Sequence, residues 1–139
     1  MDKKKTFHFV LIWFLSFITL FLLDMAWFSV SMDTVYRPLF MKIQKRIILR
    51  VWSGLVTWIL LGLMIAILLT QMKHTHQWTH AGLMGIVYGL IIYGVYNFTN
   101  YATLYNYNLR VVAIDTMWGG LAMGITSFLM AILHGYLSR

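Results

Sequence analysis

Four apolar stretches, each near the roughly 20 residues a helix needs to cross hydrocarbon, occupy most of this chain of 139 residues. They read as spans over 7–30, 47–70, 81–101 and 111–137. No other feature narrows the fold so far. Inside a bilayer every backbone amide and carbonyl must find its partner within the protein, and helices do this locally. The sequence therefore predicts an all-α membrane protein, a bundle of four transmembrane helices in a single domain over residues 1–139. Composition agrees, since 60% of residues are hydrophobic and 11% charged, against about 25% charged in soluble domains.

The connections differ in kind. Residues 31–46 carry Asp33, Tyr36, Arg37, Lys42, Lys45 and Arg46, with Pro38 as the only proline. Proline suits the first turn of a helix, where its missing N–H is not needed. The run Leu39 to Ile47 mixes apolar and basic residues, which predicts a short interfacial helix between spans one and two, leading into the second. Residues 71–80 form a polar turn with Lys73, His74, His76 and His80, and residues 102–110 a turn rich in Tyr and Asn. Lys3, Lys4 and Lys5 precede the first span as in a signal peptide. That span is too long for a signal core and no small-x-small site follows, so an uncleaved first helix is expected.

The net charge is +7. The basic residues cluster outside the apolar spans, with Arg50 at the start of the second, which points to membrane lipids as partners. No basic run is interleaved with aromatics on a polar surface, so nucleic acid is not a predicted partner. The chain has no cysteine, which removes disulfides and thiolate chemistry. Positive charge does not decide orientation. With the N-terminus inside, Lys3, Lys4, Lys5, Lys73 and Arg139 face Arg37, Lys42, Lys45, Arg46, Arg50 and Arg110. The reading adopted is N-terminus inside.

The chemistry-bearing residues are two aspartates within the apolar spans, each three residues before a tryptophan: Asp24 with Trp27, and Asp115 with Trp118. Residues at i and i+3 share a helix face. A carboxylate in hydrocarbon costs roughly 2.5–3.5 kcal/mol on insertion scales, so it faces protein or a water-filled cavity. Asp24 lies near the exit of span one and Asp115 near the entrance of span four. Four crossings put both on one side of the membrane, with Asn97, Asn100 and Arg50. Two readings stand. In one, the carboxylates share a polar cavity for a proton, a cation or a headgroup. In the other, they pair locally with Arg37, Arg50, Arg110 or a tyrosine hydroxyl and lock the helices together.

Tyr93, Asn97, Asn100 and Leu104 make one stripe at helical spacing. Asn amides both donate and accept, which suits a pocket lining beside carboxylates. They also glue helices, at ~0.6 kcal/mol per bond. Gly85 with Gly89 and Gly120 with Gly124 form two GxxxG patterns. Close backbone packing of spans three and four is the expected meaning, with dimerisation as the alternative. The histidine turn reads as a solvated loop, and no metal site or cofactor is predicted. No nucleophile elbow, phosphate-cradling glycine loop or dinucleotide fingerprint occurs.

The string from Tyr93 to Leu104, followed by Ile114-Asp115-Thr116-Met117-Trp118-Gly119, resembles a family of bacterial integral membrane proteins, domain of unknown function 2177. Leu23-Asp24-Met25-Ala26-Trp27 matches the L-D-x-x-W pattern of that family's first helix, and Tyr36 matches a tyrosine that follows it. Asn97 departs from the family pattern, which carries an acidic residue there. The resemblance implies a small four-helix protein of the bacterial inner membrane, and it leans toward a lipid-related role.

Together these features predict a polar intramembrane pocket lined by Asp24, Trp27, Tyr93, Asn97, Asn100, Asp115 and Trp118. It would bind a small or amphiphilic ligand and move it or a proton. The alternatives are a structural subunit of a larger membrane complex or a homodimer, and a membrane enzyme acting on lipid with the aspartates as acid and base.

Overall fold

The computed structural model describes residues 3–46, 48, 50–72 and 77–138. Helix α1 covers Lys3–Ser31 and passes through a π-helical turn, Met32–Tyr36, into α2, Arg37–Gln44. Helices α3 (Val51–Gln71), α4 (Trp78–Thr103) and α5 (Leu109–Leu137) follow. Four helices are thus long and apolar enough to cross a membrane among the described residues.

The boundaries depart from the expected ones in two places. The first helix starts at Lys3, because the three lysines continue it into the polar region. The second long helix starts at Val51, and Ile47 lies outside the described residues. Pro38 does sit in the first turn of a short helix. That helix, however, continues α1 and does not lead into α3. It stops at Lys45, whose backbone turns left-handed at φ 58°, a conformation that ends a helix.

The π-helical turn has a local cause and a long-range effect. Ser29 Oγ donates to the Ala26 carbonyl and Ser31 Oγ to the Trp27 carbonyl, 2.7 Å each. Such back-bonding competes with the helix ladder and bends it. The Arg37 amide then reaches the Met32 carbonyl, five residues back. On an unbroken α-helix a residue nine positions on lies two and a half turns away, on the opposite face. The wide turn rotates less per residue, and Tyr36 swings back toward Trp27.

Helix α5 is the centre of the assembly. Its buried residues run from Val111 to Gly135, and it packs on α4 along one side and α1 along the other. Helix α3 packs mainly on α1. The helices run antiparallel where they touch, since Asp24 meets Trp118 while Asp115 meets Asn97. Asn108 caps α5 by accepting from the Val111 amide at 2.9 Å.

The α4–α5 seam follows from spacing. The buried residues of α4 are Ala81, Gly85, Gly89 and Asn97, all a multiple of four apart. Small residues at that interval let two backbones meet, which matters where the hydrophobic effect does not drive helices together. A Cβ on Gly85 would lie 2.5 Å from Ser127 Oγ and 2.6 Å from the Met123 carbonyl oxygen. At Gly89 it would run into the Gly119 carbonyl. The two glycine pairs thus meet across this seam, as spans three and four were expected to do. Outward faces carry large apolar residues such as Leu22, Leu60, Leu83, Ile91 and Leu121, as a lipid-facing surface would.

Gly85→Val should destabilise the protein by about 1–3 kcal/mol through overpacking. Gly94→Ala, whose added carbon meets only Thr116 Cγ2 at 3.7 Å, should leave stability unchanged or slightly raised. Thermal unfolding in detergent compares the two.

Candidate functional site

The two aspartates lie buried at the same end of the four-helix assembly, 6% and 9% exposed for Asp24 and Asp115. Each is met by neutral donors from other segments. Asp24 sits on α1. Its Oδ1 accepts from Trp118 Nε1 of α5 at 2.7 Å, and its Oδ2 from Trp58 Nε1 of α3 at 2.6 Å. Asp115 sits on α5. Its Oδ1 accepts from the Tyr36 hydroxyl at 2.5 Å, and its Oδ2 from Asn97 Nδ2 of α4 at 2.7 Å. Hydrogen bonds to an ionised acceptor are the stronger kind.

The two carboxylates are joined through indoles. Trp27 and Trp118 stack with ring centroids 4.7 Å apart and planes 8° from parallel. Trp118 donates to Asp24, while Trp27 Nε1 donates to the Tyr36 hydroxyl at 2.9 Å. Tyr36 in turn donates to Asp115. One continuous path therefore runs from Asp24 through the indole stack and the Tyr36 phenol to Asp115. The i, i+3 spacing in each Asp–Trp motif is what lets the indole of one motif serve the region of the other.

Asn97 is fully buried and works in both directions. It donates to Asp115 and to the Tyr93 carbonyl, and its Oδ1 accepts from the Tyr107 hydroxyl at 2.7 Å. Tyr107 lies in the turn between α4 and α5. Burial, then the neighbouring Tyr96 and Asp115, push its phenol up to about 12, so it remains a donor across the physiological range. Asn100 sits one turn beyond Asn97, next to the Tyr107 side chain. The ring of Tyr93 lies against Gly119, and its backbone carbonyl accepts from Asn97 Nδ2 at 2.9 Å.

The structure thus brings Asp24, Trp27, Tyr93, Asn97, Asp115 and Trp118 into one cluster and leaves Asn100 at its edge. It seats none of the three candidate arginines there. Arg37 pairs with the exposed Asp33 at 2.9 Å, one helical turn away. Arg50 precedes α3 and Arg110 lies in the first turn of α5, both exposed. His74 and His76 of the polar turn lie outside the described residues.

Three contributors were not among the expected site residues. Trp58 had a readable signal: an indole well inside a span, away from the interfacial belt, needs an acceptor for its N–H. Tyr36 and Tyr107 lie in connecting segments, and only folding brings their hydroxyls to the aspartates. Tyr36 requires the π-helical turn as well.

Trp58→Phe and Trp118→Phe each remove one donor from Asp24 and keep an aromatic ring. Each should cost about 1–3 kcal/mol, the range for leaving a charged buried acceptor short of a bond. Tyr107→Phe, at the partly exposed rim, should cost less. The order of unfolding midpoints in one detergent checks this.

Comparison with curated proteins and with solved structures gives no match. A family profile matches residues 9–132, nearly the whole chain. With its four membrane-length apolar helices, the chain is an integral membrane protein and belongs to the family described as "Predicted membrane protein (DUF2177)".

Proposed function

We propose that this protein binds the positively charged head of a small or amphiphilic, lipid-related ligand at the Asp24–Asp115 cluster, and moves that ligand or a proton through it. The observation that carries the reading is the lack of a basic partner. Among the described residues, neither buried aspartate has a cation within bonding distance. All four donors that meet the two carboxylates are neutral. In its ionised form, either carboxyl group in a low-dielectric interior calls for compensating positive charge. Each carboxylate oxygen also keeps accepting capacity beyond its one donor. The stacked indoles add a second attraction, since a cation near an indole face gains about 0.5–2 kcal/mol. Of the membranes such a protein could occupy, the bacterial inner membrane is the one we propose.

A second reading has its own support. Asp24 ties α1 to both α3 and α5, and Asp115 ties α5 to both α4 and the π-helical turn. On this reading the aspartates are ties within a structural subunit of a larger membrane complex or a homodimer.

Dodecylamine, protonated at neutral pH, and uncharged dodecanol separate the two when titrated against the protein in nonionic detergent. The binding reading expects saturable uptake of the amine and not the alcohol. It expects at least a tenfold loss in Asp24→Asn/Asp115→Asn, with the variant still folded by circular dichroism. A wild-type protein that ignores the amine, while the variant only melts earlier, supports the structural reading instead.

A further inference from the structure

At the end of the helices remote from the aspartates, a crevice of about 330 Å³ opens between α1, α3 and α5. Its floor is apolar, formed by Phe9, Ile12, Ala66 and Leu69. Its rim is polar and basic, formed by Lys5, His8, Thr70, His134 and Ser138. Antiparallel packing creates this arrangement, because the start of α1 comes to lie beside the ends of α3 and α5. We propose that the crevice is a binding site for an anionic amphiphile, with a phosphate-bearing head at the rim and an acyl chain along the floor.

Charge decides the sign of the ligand. The four long helices present two N-termini (α1, α4) and two C-termini (α3, α5) at this end. Each terminus carries roughly half an elementary charge, positive or negative, so the backbone contributions nearly cancel. Side chains therefore set the potential. Lys5 supplies a full positive charge. His8 and His134 lie close enough to interact electrostatically, and each can offer a ring N–H. Thr70 Oγ already donates to the Ile67 carbonyl at 2.7 Å, so the rim's donors are Lys5, the two imidazoles and Ser138. No acidic residue lines the crevice among the described residues. The aspartates among the described residues, Asp24, Asp33 and Asp115, all belong to the other end.

Size and position decide the rest. The volume falls in the range of small-ligand sites, about 300–1,000 Å³. The rim residues stand at helix ends, where a spanning helix meets the headgroup layer. Basic pockets between membrane helices at that level suit phosphate-bearing lipid heads. An apolar floor under a basic rim fits a headgroup with its chain better than it fits a free anion.

The test titrates the full-length protein in nonionic detergent with dodecyl phosphate, read by native mass spectrometry. Dodecanol and inorganic phosphate serve as separate arms. Wild type should retain one dodecyl phosphate and no dodecanol. Lys5→Gln, at an exposed position, should weaken retention at least threefold. Lys5→Gln/His8→Gln/His134→Gln should weaken it at least tenfold. Failure of excess inorganic phosphate to displace the probe assigns the site to lipid, whereas displacement assigns it to free phosphate and overturns the lipid assignment. Absence of retention by wild type, or equal retention by the folded Lys5→Gln and triple variants, overturns the proposal altogether.

Discussion

Hydrocarbon offers no hydrogen bonds, so a carboxylate placed there must draw every donor from the protein. Much of the packing in one half of this molecule follows from that constraint. Asp24 and Asp115 sit on helices at opposite ends of the chain, and together they recruit donors from every long helix or its connection. Two indoles, one phenol and one amide complete the set. The donors are flat, rigid groups with few rotatable bonds, so holding them costs less side-chain entropy than holding arginine or lysine would. Their neutrality has a consequence: among the described residues, no positive side chain meets either carboxyl group. The proposed binding of a positive group rests on this.

The cluster depends on two features distant from its own atoms. One is the α4–α5 seam, where glycines remove the side chains that would hold the backbones apart. Asn97 reaches Asp115 because Gly89 and Gly85, about two and three turns earlier on the same stripe, lie flush on α5. The other is the π-helical turn after α1. It spends regular helix geometry to bring the Tyr36 hydroxyl onto the face that α1 presents to α5. Backbone irregularities of this sort recur at functional sites, and here the gain is a bond to Asp115 and one from Trp27.

The two ends of the protein differ in the side chains that line their polar clusters. Carboxylates gather at one end and a lysine with two imidazoles at the other, although the backbone dipoles are balanced.

Much of the architecture was legible in residue order. Four runs of membrane length, strict antiparallel alternation and the Asp-x-x-Trp spacing together place Asp24, Asn97 and Asp115 in one half of the bilayer. Small residues four apart announce a close seam. These conclusions need only helix geometry and the number of crossings. What residue order did not decide is which groups meet the carboxylates. Arginine is the ordinary partner for aspartate, and three stood at suitable depth, yet Trp58, Trp118, Tyr36 and Asn97 hold those positions. Partner choice depends on rotation of each helix about its own axis, and that is set by packing summed over whole faces. Tyr36 makes the point most clearly. On a regular helix it would face away from Trp27, and a bend made by two serine hydroxyls turns it inward. The sequence by itself determined how many helices cross and at what depth the charges lie, because length and alternation suffice for that. Only the tertiary structure decided what those charges touch, because side-chain contact across helices is a cooperative property of the packed assembly.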